Sequence, residues 1–242
     1  MDIGRSLAEK AEGRLFARVF EIEKRGNAYM DRNTVLSKIA ATKVVAIIRR
    51  VPTDSAYDIA AALMEGGILA LEFTAETPGI TRIVEDVRRR LPDSVAVGVG
   101  TVLDGETART MLLSGADFIV TPTVNQTTIE VCVRYGKPVM PGAMTPTEIL
   151  SAYEYGADYV KVFPAGVLGA EYLRSIRGPL PHIPLMATGG ISAANAQEFL
   201  KAGASALGVG GSLVPAEAVA RKDYQVIEEE ARRLIEAVSA QP

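Results

Sequence analysis

The sequence predicts an α/β chain folded as a (β/α)8 TIM barrel with an N-terminal helical extension. Three observations carry this. Short, β-branched apolar runs alternate with helix-length segments from residue 44 onward. Each run is continuously apolar rather than alternating, as expected of parallel strands covered on both faces. A small-residue punctuation also recurs where helices stop: Glu65-Gly66-Gly67, Ser114-Gly115-Ala116-Asp117, Tyr155-Gly156-Ala157-Asp158 and Lys201-Ala202-Gly203-Ala204. A glycine just past a helix adopts the left-handed conformation that ends it. About eight such units with short connections make a barrel. An open doubly wound sheet is the alternative, but no G-x-G-x-x-G follows the first strand.

In chain order, the expected strands are Val44 to Ile48, Ala70 to Thr74, Val95 to Val99, Phe118 to Thr121, Pro138 to Met140, Tyr159 to Phe163, Leu185 to Ala187 and Ala206 to Val209. Helices are expected over segments such as Asp54 to Glu65, Gly79 to Arg90 and Thr145 to Tyr155. Thr53, Asp104, Thr145 and Ser192 are cap-like residues at helix starts, and Glu148 three residues after Thr145 makes a capping-box pattern. Residues 1–29 stand apart as an extension, helical or mobile, with partial helical periodicity and many charges. Met30-Asp31-Arg32 resembles a natural start for a barrel domain spanning 30–242, led by a helix over Asn33 to Ala41.

The 242 residues are 48% hydrophobic and 23% charged, with a formal net charge of -3, an ordinary globular composition. That balance points to no nucleic acid and no anionic membrane surface as partner. Cys132, the single cysteine, excludes an intramolecular disulfide, and its apolar neighbours suggest a buried helix thiol. The single histidine, His182, lies in a proline-rich turn. It excludes a multi-histidine metal site and argues against Ser-His or Cys-His catalysis. No transmembrane run and no secretory pattern is visible, so a reducing, cytoplasmic setting is the expectation.

Active sites of such barrels lie at the C-terminal ends of the strands. Arg49-Arg50, Glu72, Gly100-Thr101, Thr121-Pro122, Pro141-Gly142, Lys161 with Phe163-Pro164, Thr188-Gly189-Gly190 and Gly210-Gly211-Ser212 fall there in turn. Lys161 is the most telling. An ammonium in a buried strand is costly unless it is paired or neutral. A desolvated, neutral lysine is an amine nucleophile for a ketone. The bland alternative is a strand-end lysine that snorkels to water. Given Lys161, Glu72 reads as its proton-transfer partner, against an inert interior ion pair. The paired glycines after the seventh and eighth strands suit a phosphate, with Ser212 as a hydroxyl donor, against ordinary loop glycine.

The run of Leu71-Glu72-Phe73-Thr74, Gly98-Val99-Gly100-Thr101-Val102, Met140-Pro141-Gly142, Val160-Lys161-Val162-Phe163-Pro164, Ala187-Thr188-Gly189-Gly190-Ile191 and Val209-Gly210-Gly211-Ser212-Leu213-Val214-Pro215 resembles the 2-keto-3-deoxy-6-phosphogluconate / 4-hydroxy-2-oxoglutarate aldolase family. The resemblance implies a class I, metal-independent aldolase with no cofactor, usually a homotrimer. It implies that Lys161 forms a Schiff base with a 2-keto acid and that Glu72 is the general acid/base. Thr101 would contact the pyruvate carboxylate, Phe163 would pack near the imine, and Gly189, Gly190, Gly211 and Ser212 would line the phosphate end. Arg49, Pro122 and Thr188 complete the expected substrate-binding set. The implied reaction cleaves a 2-keto-3-deoxy sugar acid, taken as 2-keto-3-deoxy-6-phosphogluconate, to pyruvate and D-glyceraldehyde 3-phosphate. One position departs from the pattern: Glu76 stands where many members carry a carboxylate-holding arginine. Arg49 is placed to pair with Glu76 or to take over the carboxylate. The rival readings are a phosphate-binding barrel isomerase or synthase that uses Glu72 without a covalent lysine, and a non-catalytic trimeric scaffold.

Overall fold

Residues 30–240 are described in a computed structural model of the chain. The expected extension over 1–29 lies outside the described residues, as does the end of the expected 30–242 domain.

The chain begins with helix α1 (Arg32–Thr42), then alternates: β1 (Val44–Ile48), α2 (Ala56–Glu65), β2 (Ala70–Thr74), α3 (Ile80–Arg90), β3 (Ala96–Gly100), α4 (Gly105–Leu113), β4 (Ile119–Val120) and α5 (Gln126–Arg134). It continues with β5 (Val139–Met140), β6 (Gly142–Ala143), α6 (Pro146–Glu154), β7 (Val160–Val162), α7 (Ala165–Leu168), α8 (Ala170–Arg177), β8 (Leu185–Thr188), α9 (Ala196–Lys201), β9 (Ala206–Val209), α10 (Ala216–Arg221) and α11 (Tyr224–Ser239). The predicted terminators act as expected: Gly67, Gly115, Gly156 and Gly203 all have φ between 95° and 109°.

All strand pairs are parallel, in the order β5-β4-β3-β2-β1-β9-β8-β7-β6. The two ends of that order, β5 and β6, are separated in the chain only by Pro141. Proline has no N–H to donate, so it interrupts a ladder without moving the strand away. Hydrogen bonding runs on across the break: the Thr121 N–H donates to Met140 O at 3.2 Å, and the Lys161 N–H donates to Pro141 O at 2.9 Å. The sheet therefore closes into a TIM-like α/β barrel whose fifth strand is broken in two, which rules out the open doubly wound alternative.

Burial sorts each strand by the two-residue pleat. Leu71, Phe73, Val97, Val160, Val162 and Leu207 face outward and share one cluster with the surrounding helices. Val45, Ala70, Ala96, Phe118, Met140 and Met186 form a second cluster inside the barrel with Met30 and with Val35 and Ile39 of α1. These are mostly strand-start residues, so α1 plugs the N-terminal end. Buried Asp117 fastens that plug by accepting the N–H groups of Met30 (3.3 Å) and Val97 (3.0 Å), and Lys137 donates to Met30 O at 2.8 Å.

Two expected caps moved. The helix after β1 starts at Ala56 with Ser55 at its cap, and the one after β8 starts at Ala196 with Asn195 there. Thr53 lies two residues before its cap and Ser192 three before its own; the Thr53 hydroxyl goes to Pro78 O instead, and Ser192 gives its N–H to the Asn195 side chain. Asp104 and Thr145 do cap α4 and α6, Thr145 in a full capping box with Glu148. Cys132 is buried in α5, where burial pushes its thiol up to about 12. His182 is exposed, with its ring edge-on to Tyr153. Among the described residues, no helix is long and apolar enough to cross a membrane.

Candidate active site

The pleat that sends Leu71 and Phe73 outward turns Glu72 into the barrel, and Val160 and Val162 do the same for Lys161. Both side chains are buried, at 1% and 5% exposure. Their strand neighbours make room for them. Glu72 is registered between Ile47 and Gly98, and Lys161 between Gly142 and Met186. A Cβ on Gly100 would fall 1.6 Å from Glu72 Oε1. Strand glycine at such points marks close approach.

Neither carboxylate oxygen of Glu72 has a hydrogen-bond partner. Glu72 and Lys161 feel each other's charge across the barrel without being bonded. The two therefore do not form a closed, hydrogen-bonded ion pair. Burial raises the Glu72 carboxyl above the ordinary range; Lys161 and then Arg49 oppose the rise, and Glu76 adds to it. Burial lowers the Lys161 ammonium; Glu72 opposes this, and Arg49 lowers it further. Lys161 Nζ lies 5.3 Å from the centroid of the Phe163 ring, within reach of its π face.

Arg49 and Arg50 follow β1 directly at the barrel mouth. Arg49 Nη1 is in a close ion pair with Glu76 Oε1, and its Nη2 lies 3.4 Å from Thr101 Oγ1. The expected Arg49–Glu76 pairing is thus present. Arg50 gives its N–H to Thr77 Oγ1 at 3.3 Å. Arg50 and Thr101 both hold left-handed backbone, with φ of 51° and 57°. Such strain is kept where surrounding structure fixes it, often at functional sites. Pro122 adjoins the strand break: a Cβ on Gly142 would meet Pro122 O at 2.3 Å.

The other side of the mouth holds Thr188, Gly189, Gly190, Gly211 and Ser212. Thr188 is buried beside Gly208, and its hydroxyl has no partner. Gly189 and Gly190, with φ of 90° and 74°, turn the chain outward. Their carbonyls are held by the Gly166 N–H at 2.7 Å and the Asn195 amide at 2.8 Å. A depression of about 360 Å³ opens there, lined by Pro164, Gly166, Gly189, Gly190 and Asn195 among others. The Ser212 hydroxyl, expected to face a phosphate, donates to Ile191 O at 2.9 Å and ties the two loops together. Sequence reasoning passed over Asn195, Thr77 and the space-making role of Gly98, Gly100 and Gly208. The signal for the last was glycine inside β-branched strand runs.

Among the described residues, no group of three or more His, Cys, Asp or Glu could hold a metal ion. The barrel thus brings together an amine and an acid/base inside, a guanidinium and a hydroxyl at one lip, and glycine-rich turns at the other. That set can form and protonate an imine while gripping an anion at either end.

The family model for KDPG and KHG aldolase matches residues 35–230. A 2-dehydro-3-deoxy-phosphogluconate aldolase of Treponema pallidum (strain Nichols) is 33% identical over 80% of this chain and 92% of its own length. A 2-dehydro-3-deoxy-6-phosphogalactonate aldolase of Escherichia coli (strain K12) is 31% identical over 70% of this chain and 83% of its own. The KDPG aldolase of Legionella pneumophila, solved with pyruvate captured as a covalent carbinolamine, superposes with a TM-score of 0.76 at 28% identity over 81% of this chain and 96% of its own. The chain belongs to the KDPG and KHG aldolase family, whose named members are carbon–carbon lyases.

Proposed function

We propose that this enzyme is a class I, pyruvate-type aldolase in which Lys161 forms a Schiff base and Glu72 moves protons. The observation that carries the reading is a buried lysine and a buried carboxylate on the inner face of one barrel, coupled by charge yet unbonded. Each perturbation has the sign its task requires. A lysine attacks a ketone as the free amine, which burial favours. A group that takes and returns a proton works best with its pKa near the working pH, which for a carboxyl means upward.

The Lys161 Nζ lone pair adds to C2 of the 2-keto acid. Proton transfers and loss of one water give the iminium. Glu72, as carboxylate, takes the C4 hydroxyl proton. The O–H electrons form the aldehyde carbonyl, the C3–C4 bond breaks, and its pair moves into the enamine as the iminium is neutralised. Protonation at C3 and addition of one water release pyruvate and the free amine. In this reading Arg49 and Thr101 meet the keto-acid carboxylate, with Pro122 beside them and Phe163 against the imine. Thr188, Gly189, Gly190, Gly211 and Ser212 face the far, phosphorylated end.

The proposed substrate is 2-keto-3-deoxy-6-phosphogluconate, giving D-glyceraldehyde 3-phosphate. Its support is the name of the Treponema relative and the glycine turns suited to phosphate. A homotrimer in the cytoplasm belongs to the same reading; light scattering tests the assembly. The deciding experiment is borohydride reduction in the presence of pyruvate, followed by peptide mass analysis. Label on the Lys161 peptide is expected. Label on another lysine overturns the assignment to Lys161; no label favours the isomerase or synthase, and no label with no retro-aldol turnover favours a scaffold. A retro-aldol panel of phosphorylated and unphosphorylated 2-keto-3-deoxy acids then identifies the substrate.

A further inference from the structure

Glu76 lies just beyond β2, the strand that carries Glu72. Its Oε1 is bonded to Arg49 Nη1 and lies 3.9 Å from Arg50 Nε. The carboxylate is the buried end of this cluster: the Glu76 side chain is 23% exposed, against 54% for Arg49 and 72% for Arg50. Glu76 Oε2 is buried with no hydrogen-bond partner. Arg49 turns its other terminal nitrogen to Thr101 Oγ1 at 3.4 Å. The Arg49 charge acts on both Glu72 and Lys161, and the Glu76 charge acts on Glu72. The cluster therefore stands within electrostatic reach of the reacting groups, and Arg49, the cation that acts on them, is already paired with Glu76.

We propose that Glu76 is a specificity-determining residue: an internal carboxylate that occupies Arg49 and competes for it with the carboxylate of the 2-keto substrate. The proposal rests on the aldolase reading. A keto-acid anion reaching for Arg49 meets a guanidinium already paired with a carboxylate that competes for it, and like charges at short range repel; the more exposed Arg50 lies 3.9 Å from that carboxylate on its outer side and softens the repulsion without freeing Arg49. A neutral ketone of the same shape, such as the amide of pyruvate, meets no such opposition. Glu76 thus narrows the advantage of the acid over uncharged 2-keto compounds. The effect falls on binding, because the side-chain partners of Glu76 are Arg49 and Arg50 and not Lys161 or Glu72.

The test is borohydride trapping on Lys161 across a concentration series of pyruvate and of pyruvamide, in the parent and in Glu76→Gln. Glutamine keeps a carbonyl for Arg49 and removes the charge. The half-saturating pyruvate concentration should fall by about twofold to fivefold, the range of a partly exposed charge interaction. The pyruvamide value and both maximal trapping rates should stay put. The pH limb of turnover that belongs to Glu72 should also move to lower pH, because a charge that raises it has gone. A merely structural role for Glu76 would move neither. An unchanged pyruvate value, or equal shifts for both ketones, overturns the proposal while leaving the aldolase reading intact. Failure of the parent to label at Lys161 overturns the aldolase reading and this one with it. Should Glu76→Gln not fold, Glu76→Ser gives the same readout.

Discussion

Replacing Gly100 by alanine adds one methyl group beside the proposed acid/base. The new Cβ would fall 1.6 Å from Glu72 Oε1, 2.3 Å from its Cδ and 2.7 Å from its Cγ. Unbonded carbons normally sit about 3.5–4.0 Å apart, so this overlap cannot stand. All three contacts are to one side chain, and no backbone atom is among them. Glu72 therefore swings aside and the strand stays in place. The stability cost falls within the ordinary overpacking range of about 1–3 kcal/mol. For a domain of this size that lowers Tm by roughly 2–12 °C. The chemical cost is larger, because displacing a general acid/base costs about 10²–10⁴-fold in turnover. Trapping of pyruvate on Lys161 should persist, since the amine is untouched. Retro-aldol kinetics, borohydride labelling and a thermal melt on one preparation read all three effects. Gly178→Ala, after α8 and outside the proposed site, is the control: its φ is -56° and the nearest atom to an added Cβ, Ser175 O, lies at an ordinary 3.5 Å. If Gly100→Ala turned over within a few-fold of the parent with an unshifted Tm, Glu72 would not stand where its register puts it.

Lys161→Arg should abolish both labelling and turnover, with a thermal melt confirming that the variant folds. The rate of imine formation should rise with pH as Lys161 loses its proton and level off below 10.5, because burial lowers this ammonium from that value; levelling only at 10.5 or above would refute a depressed lysine. The linked stability has the same sign: the unfolded lysine holds its proton longer, so Lys161 penalises folding most at low pH and less as pH rises from its folded pKa towards 10.5. Ser212→Asp should raise KM for a phosphorylated substrate more than for an unphosphorylated one, and equal effects would remove the phosphate from that end. Asp117→Asn, at the plugged end, should cost about 1–3 kcal/mol by weakening acceptance of buried N–H groups while kcat holds; a fall in kcat at unchanged stability would contradict its purely structural place.

Strand positions, order and the terminators of α2, α4, α6 and α9 were legible because they rest on local signals: apolar runs a few residues long, and a glycine in the left-handed region just past those helices. What the runs could not give was direction. A strand buried on both faces shows no alternation, so Val44 and Val45 look alike although one faces the helices and the other the interior plug. Only polar outliers break that symmetry. Glu72 and Lys161 were readable as inward-facing because a charge in such a strand is costly against the apolar helix layer, and the Arg49–Glu76 pair, one of two arrangements open to those charges, follows from their adjoining strand ends. The break at Pro141 was not legible, because proline's effect depends on whether its neighbours continue the ladder. Nor was the partner of Ser212, since Ile191 O lies on a different loop and comes near only when the barrel closes.

The strand glycines join these two kinds of information. In sequence, Gly98, Gly100 and Gly208 look like weak points in otherwise β-branched strands, costing backbone entropy without burying a side chain. In the closed barrel each meets an inward group from an adjoining strand or the residue leading into it: the Phe118 ring, the Glu72 carboxylate and the Thr188 hydroxyl. Two of these three neighbours are buried polar groups without hydrogen-bond partners. A barrel interior filled with branched residues would have no room for them. The polar interior therefore depends on residues that contribute no side chain, and their positions became meaningful only once parallel register set each beside its neighbour. Strand glycine opposite a lone buried polar residue is a two-strand signal, readable from sequence only after the pairing is known.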